Sequence, residues 1–434
     1  MNQYPSLPKD RAFWGITLTQ FLGAFNDNVF KMLLFLICAD YVANVGSEKG
    51  DYFDPYQTLA SLLFAFAFVM FSGFAGFLSD RFAKKKIVIA CKVAEIVVMC
   101  LGFLVFLTGS VGTTSFLVFL FGVLFLMGTQ SAFFGPSKFG ILPEMFSDTD
   151  LPVVNGVILG TTFLAIIFGT AIAGLLKEAL GDQLWVISLL CIILAFIGTG
   201  TALLLRRTPP AQSDLRFHGA NWFGEPAIWK RVFSDSLLIK VLLVYSTFWF
   251  VGGVVALTIT LVGRIQLELS EGATSFLNAG MGLGIGTGSV VAAAISKKDV
   301  RFGLVKIGCV GMFAGLGLAA LFAVVDFGAG LQVWLFGISL AIGGFFGGWV
   351  AVPLQVFIQS HPPSELKGRI IAVMNMMTWI GILSASIYYF SVLAVTGFQM
   401  DPSWILLTLA IIMLCMAFVP IKTSEHLKEE RVEA

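Results

Sequence analysis

The sequence predicts an all-α membrane protein of twelve transmembrane helices in two pseudo-symmetric six-helix bundles, on three observations. Of the 434 residues, 57% are hydrophobic and only 12% are charged, which is more apolar surface than a soluble domain can bury. The apolar residues fall in runs of about 20 between charged or turn-forming clusters, the length that crosses a bilayer. Finally, those runs divide into six and six about one polar stretch. The same composition excludes a secreted disulfide scaffold, a disordered chain and an outer-membrane barrel, whose short alternating strands give no long apolar runs. It also excludes a nucleic-acid binder with a basic face, so no nucleic-acid partner is expected; the formal net charge of +1 says nothing of partners.

The spans are expected at 12–43, 57–79, 87–108, 115–136, 152–177 and 184–205, then at 237–263, 272–296, 303–325, 331–358, 369–396 and 403–421. The implied organisation is a bundle over 1–205, a cytoplasmic amphipathic linker over 206–236, a second bundle over 237–421 and a cytoplasmic tail over 422–434. Basic residues of short loops stay in the cytoplasm. One set of connections carries Arg81, Lys84, Lys85, Lys86, Lys138, Arg206, Arg207, Lys297, Lys298, Arg301 and Lys367, whereas the opposite set holds only Lys49, Lys177 and Arg264. Both termini are therefore expected in the cytoplasm, with the chain passing many times through a cytoplasmic membrane.

The polar N-terminus passes into a long apolar run without the cleavage site of a signal peptide, so that run is read as a retained first span. In the linker, Phe217, Trp222, Phe223, Trp229 and Phe233 alternate with Arg216, Lys230 and Arg231. Aromatic and basic residues together favour the headgroup layer, which predicts a surface-lying segment. The six cysteines are scattered without CxxC spacing and read as small buried hydrophobes, so neither a disulfide framework nor a metal site is expected.

The halves echo one another. Gly135 and Pro136 close the fourth span, followed by Pro143, Glu144, Asn155 and Gly156. Gly343, Gly344, Gly347, Gly348 and Pro353 mark the tenth, followed by Pro362, Pro363, Glu365, Gly368 and Arg369. Repeated bundles with glycine-thinned or interrupted helices are the pattern of secondary transporters that rock about a central site.

Within the first span the segment from Gln20 to Lys31 reads QFLGAFNDNVFK. Asp27 lies about 22 Å into a helix that begins near Ala12, too deep to reach water along its own side chain. An ion there is paired or faces a wet cavity, and intramembrane charges are functional by default. Lys31 lies one turn on and offers a partner on the same face. Asn26, Asp27, Asn28 and Lys31 are thus candidates for substrate binding or ion response, joined by Lys138 in the segment FFGPSKFGILPE at the end of the fourth span. Phe21, Phe25, Phe133 and Phe134 flank these motifs and are candidates to line an amphipathic cavity. Lys92 and Glu95, three apart early in the third span, read as a local pair near the cytoplasmic interface.

The loop after the second span runs from Gly76 through Asp80, Arg81, Lys84, Lys85 and Lys86. It resembles the signature loop of the major facilitator superfamily, with Ala83 where glycine is usual. Gly76 allows close helix contact, and Asp80 at a helix end can pair with a base or a facing helix dipole in one conformation only. Gly76, Asp80, Arg81, Lys84 and Glu144 are therefore expected to form a conformational lock.

Taken together, QFLGAFNDN, FFGPSKFGILPE, VVNG at the start of span five and GGFFGGWVAVPLQ in span ten resemble the bacterial lysophospholipid transporter family of that superfamily, over essentially the whole chain. The resemblance implies a flippase. It would carry lysophospholipid, lysophosphatidylethanolamine above all, from the outer to the inner leaflet of the bacterial inner membrane, where a separate acyltransferase can reacylate it. It also implies a monomer whose partners are its substrate and membrane lipids, with Asp27 at the family's intramembrane acid and Lys138 at its lysine. The family's cation in the seventh span has no counterpart between Phe248 and Leu261, and Lys31 is the candidate to replace it. A proton-coupled exporter of hydrophobic compounds and a transport-inactive sensor or scaffold remain alternatives. No enzyme and no cofactor are expected, since the chain has no acyltransferase histidine motif, no GxxxxGK[ST] loop and no HExxH zinc motif.

Overall fold

In hydrocarbon a backbone can satisfy its own N–H and C=O groups only as a helix or a closed barrel. The computed structural model of the chain describes residues 6–45, 55–109, 113–181, 183–219, 222–296, 301–325, 327–395 and 401–421, and among them every expected span is helical and none is a strand. The expected tail at 422–434, together with Lys49, Lys297 and Lys298, lies outside the described residues.

The first half comprises α1 (Arg11–Val45), α2 (Pro55–Arg81), α3 (Lys84–Thr108), α4 (Thr114–Gly140), the single turn α5 (Leu142–Met145), α6 (Leu151–Leu180) and α7 (Leu184–Ala202). A short α8 (Pro226–Ser234) precedes α9 (Ser236–Leu261), α10 (Glu271–Ile295), α11 (Phe302–Val324), α12 (Ala329–Ser360), α13 (Lys367–Val395) and α14 (Ser403–Ala417). Eleven of these are long and apolar enough to cross a bilayer, and α14 is a shorter apolar helix. The expected twelfth span, 403–421, therefore ends early. Pro420 has no N–H to donate and disfavours helical backbone at Val419, so the chain leaves the helix after Ala417. The sixth span likewise stops at Ala202, three residues short of the expected 205.

Helix α1 packs on α6 and α7, α2 on α4, and α3 on α4 and α7; in the second half α12 packs on α10 and α11, α13 on α9, and α14 on α11. The halves meet along two seams, α2 against α13 and α6 against α10. Each half has its own apolar core, and a third cluster crosses between them, joining Ile16, Val88, Leu142 and Met145 to Ala292, Ala293, Val352 and Val356. Because lipid tails are as apolar as the helices, packing in this environment depends on close van der Waals approach. The α10–α12 pair depends on it most: a Cβ at Gly288 would collide with the Phe345 carbonyl.

The linker departs from the surface-lying expectation. Trp222 stacks on Phe74 at 5.0 Å and donates its indole N–H to the Met70 carbonyl at 2.8 Å. Phe217 packs edge-on to Phe74 at 4.9 Å. In α8, Ile228 and Val232 are buried in the core of the second half. Only Phe223 and Phe233 remain largely exposed. The rings find protein instead of headgroups because α2 presents a row of phenylalanines at the end where the linker crosses.

Substituting Gly288 by valine should destabilise the protein by about 1–3 kcal/mol through overpacking. Gly280→Val, on the same helix with open space around its Cα, should leave thermal unfolding in detergent unchanged; equal effects would refute the close-approach argument.

Candidate transport site

A cavity of about 280 Å³ lies between the two halves, lined by residues of α1, α2, α3, α4 and α6 on one side and α9, α12 and α13 on the other. Its charged wall belongs entirely to the first half. Asp27 and Lys31 face it from α1, Lys138 from α4, and Lys92 with Glu95 from α3. One oxygen of Asp27 accepts from the Ser131 hydroxyl at 2.8 Å; the other is buried without a hydrogen-bond partner.

Neither Lys31 nor Lys138 has an ion-pair partner among the described residues. Lys31 instead stands 5.6 Å from the centre of the Phe64 ring, and Lys138 lies 4.1 Å from that of Phe139 and 5.6 Å from that of Phe134. These aromatic faces shelter the cations without neutralising them. The pair that helical spacing allowed between Asp27 and Lys31 is therefore not made; Ser131 of α4 takes its place.

The other candidates divide between the cavity and its surroundings. Asn26 is fully buried and donates to Glu95 at 3.0 Å, behind the cavity wall. Asn28 lines the cavity but donates back to the Ala24 carbonyl at 2.7 Å. Phe134 lines the cavity, whereas Phe21 and Phe25 stack on each other at 6.2 Å and Phe133 packs against Phe71 and Phe74. The aromatic walls are instead Phe64, Phe68, Phe139, Trp249 and Trp379.

Lys92 and Glu95 sit deeper than the interface. They form an ion pair with side chains 1% and 2% exposed, and Asn26 completes the carboxylate's hydrogen bonding. The basic cluster of Lys84 to Lys86 opens the same helix, but Lys92 is eight residues further on, about 12 Å in. Depth along the helix, the measure that singles out Asp27, finds this pair too. Among the described residues the second half contributes no charge to the cavity; Tyr245, Gln355, Asn375, Thr378 and the two tryptophans face it, and neutral groups such as these carry no signal of intramembrane charge in the sequence.

The residues of the signature loop form two separate arrangements. Asp80 is fully buried and accepts from the backbone N–H of Gly368 at 2.7 Å and of Arg369 at 3.1 Å, and from Arg369 Nε at 3.0 Å. It thus caps the start of α13, in the other half, where a carboxylate is favoured by the free N–H groups and the helix dipole. Gly76 permits this approach, since a Cβ there would run into Ala372. Arg369 also bonds Glu225 and Gln212 of the linker, both at 2.7 Å. Lys84 and Glu144, by contrast, pair at 2.5 Å within the first half. Arg81 lies over the rings of Phe77 and Phe82 and makes no ion pair among the described residues.

On the same face, Asn155 of α6 and Gln359 of α12 exchange two hydrogen bonds, at 2.7 and 2.8 Å. Among the described residues, these and the Asp80 cluster are the only hydrogen bonds joining the two helical halves directly. All lie on the face where α1 begins, beneath the cavity.

Two helical halves that enclose a charged, aromatic-walled cavity and, among the described residues, are joined by hydrogen bonds at one face define a membrane transporter. The profile of the Major Facilitator Superfamily matches residues 16–386, and the chain belongs to that superfamily. It is similar to the lysophospholipid transporter LplT of Photorhabdus laumondii, 26% identical over 384 residues covering 86% of each chain. It is also similar to that of Serratia proteamaculans, 27% identical over 413 residues covering 88% of this chain and 92% of the other. Among solved structures, the human organic anion transporter MFSD10 (TETRAN) superposes with a TM-score of 0.75 at 14% identity over 96% of this chain and 99% of the other. A bacterial homologue of the iron transporter ferroportin in an outward-facing state gives 0.65 at 15% identity, covering 93% and 97%. At these identities the two structures establish the fold alone.

Glu95→Leu should destabilise the protein by about 3–5 kcal/mol, because it leaves the buried Lys92 ammonium uncompensated. Adding Lys92→Met should recover most of that loss, whereas Asp27→Asn should leave stability almost unchanged. Chemical or thermal denaturation in detergent reads all three.

Proposed function

We propose that this chain is a lysophospholipid flippase. It carries a lysophospholipid, lysophosphatidylethanolamine in the first instance, from the outer to the inner leaflet of a bacterial inner membrane by alternating access. The observation that carries this reading is the cavity itself: a carboxylate with one free oxygen and two unpaired lysines on a polar wall, opposed by aromatic side chains. A zwitterionic headgroup matches the wall. Its ammonium takes the free oxygen of Asp27, its phosphate takes Lys138 and Lys31, and its single acyl chain lies along Phe64, Phe68 and Trp379. Lys31 stands in for the cation absent between Phe248 and Leu261 of α9. The likeness to transporters named for lysophospholipid supports the same substrate class.

The bridged face is assigned to the cytoplasm on its excess of lysine and arginine. This conformation is then closed inward, and transport requires Asp80 to release α13 and Asn155 to release Gln359. The protein acts as a monomer and hands its cargo to a separate acyltransferase.

The test is uptake of fluorescent lysophosphatidylethanolamine into proteoliposomes. Uptake should survive collapse of a proton gradient and fall roughly ten- to a hundredfold in Asp27→Asn, the loss expected when a hydrogen bond to a charged group is removed. Uptake that disappears with the gradient would instead identify a proton-coupled exporter. Absence of any lysolipid binding or movement, with a soluble partner retained on the 206–236 linker, would identify a sensor or scaffold.

A further inference from the structure

The charged groups of the cavity all belong to α1, α3 and α4. A headgroup held only by charges of the first half gains nothing from the position of the second and by itself shifts no equilibrium between conformations. The headgroup of the substrate proposed above, on which this inference rests, therefore needs a polar group in the second half, beside the apolar contact that Trp379 offers the acyl chain.

The internal repeat indicates where. Helices α4 and α12 are the fourth spans of their halves, and each contains an internal proline, Pro136 and Pro353. Two residues beyond the first stands Lys138; two residues beyond the second stands Gln355. Both line the cavity. Gln355 is only 5% exposed. Tyr245 of α9 donates its hydroxyl to the Gln355 carbonyl oxygen at 2.6 Å, which sets the orientation of the amide. The amide nitrogen, thus oriented, has no hydrogen-bond partner. A buried donor without an acceptor is unfavourable in a resting fold, and here it faces the space where substrate is placed.

We infer that Gln355 is the second half's counterpart of Lys138, and that its amide N–H binds an oxygen of the lysophospholipid headgroup region, with Tyr245 as the positioning residue. The acceptor is a phosphate oxygen or the free glycerol hydroxyl. Either one ties the cargo to α12 while Asp27 and Lys138 tie it to α1 and α4.

The experiment measures the KM for lysophosphatidylethanolamine uptake into proteoliposomes by wild type, Gln355→Met, Gln355→Glu and Tyr245→Phe. Loss of this hydrogen bond should raise KM about tenfold in Gln355→Met. Gln355→Glu offers acceptors only and should lose at least as much. Tyr245→Phe keeps the side-chain shape and should raise KM by less, a pattern general misfolding would not produce. A lysolipid analogue without the glycerol hydroxyl separates the two acceptors. The penalty of Gln355→Met persists on the analogue if phosphate is bound and vanishes if the hydroxyl is. Wild-type KM in Gln355→Met or in Gln355→Glu overturns the assignment while leaving the flippase reading intact. Failure of the wild type to move lysolipid overturns the flippase reading itself.

Discussion

Charge in hydrocarbon costs several kcal/mol unless it is paired or wet, and that constraint organises this molecule. Five ionisable side chains sit along the cavity, and each meets the constraint differently. Lys92 and Glu95 neutralise each other inside the first half, with Asn26 completing the carboxylate's hydrogen bonds. Asp27 shares one oxygen with Ser131 and keeps the other free. Lys31 and Lys138 rest against aromatic rings. The first two brace the wall; the other three remain available to a ligand of complementary charge.

Asp80 obeys the same constraint in another way. Its carboxylate is fully buried, yet its partners belong to the opposite half, so it is satisfied only while α2 and α13 stay together. A group whose pairing depends on one arrangement of two rigid bodies reports that arrangement energetically. The linker reinforces the contact: Arg369 reaches Gln212 and Glu225 as well as Asp80. Trp222 fixes it to α2 and its last part is buried beside α9, so the connection between the halves is itself part of the contact between them.

Much of this was legible in the sequence because apolar length and glycine spacing are local signals. Spans, their six-and-six division and the depth of Asp27 all follow from counting along one helix. The exceptions have physical causes. The last span ends early because Pro420 removes a donor just past it. Lys92 and Glu95 read as interfacial because a basic cluster opens the same helix. Which phenylalanines face the cavity depends on helix rotation: Phe134 does, and Phe21, Phe25 and Phe133 do not. The uncharged side of the site, Tyr245, Gln355 and their neighbours, carries no signal in one sequence beyond its place in the repeat. Partners across the seam, such as Gly368 for Asp80 or Gln359 for Asn155, are separated by hundreds of residues and emerge only in three dimensions.

The brevity of α14 bears on the surrounding lipid. Fifteen residues rise about 22 Å, against a hydrocarbon thickness near 30 Å. With Trp404 and Phe418 strongly exposed near its two ends, a helix this short meets the mismatch by local thinning of the bilayer or by its flanking residues reaching toward the interface. That accommodation falls on one flank of the second half, where α14 packs on α11.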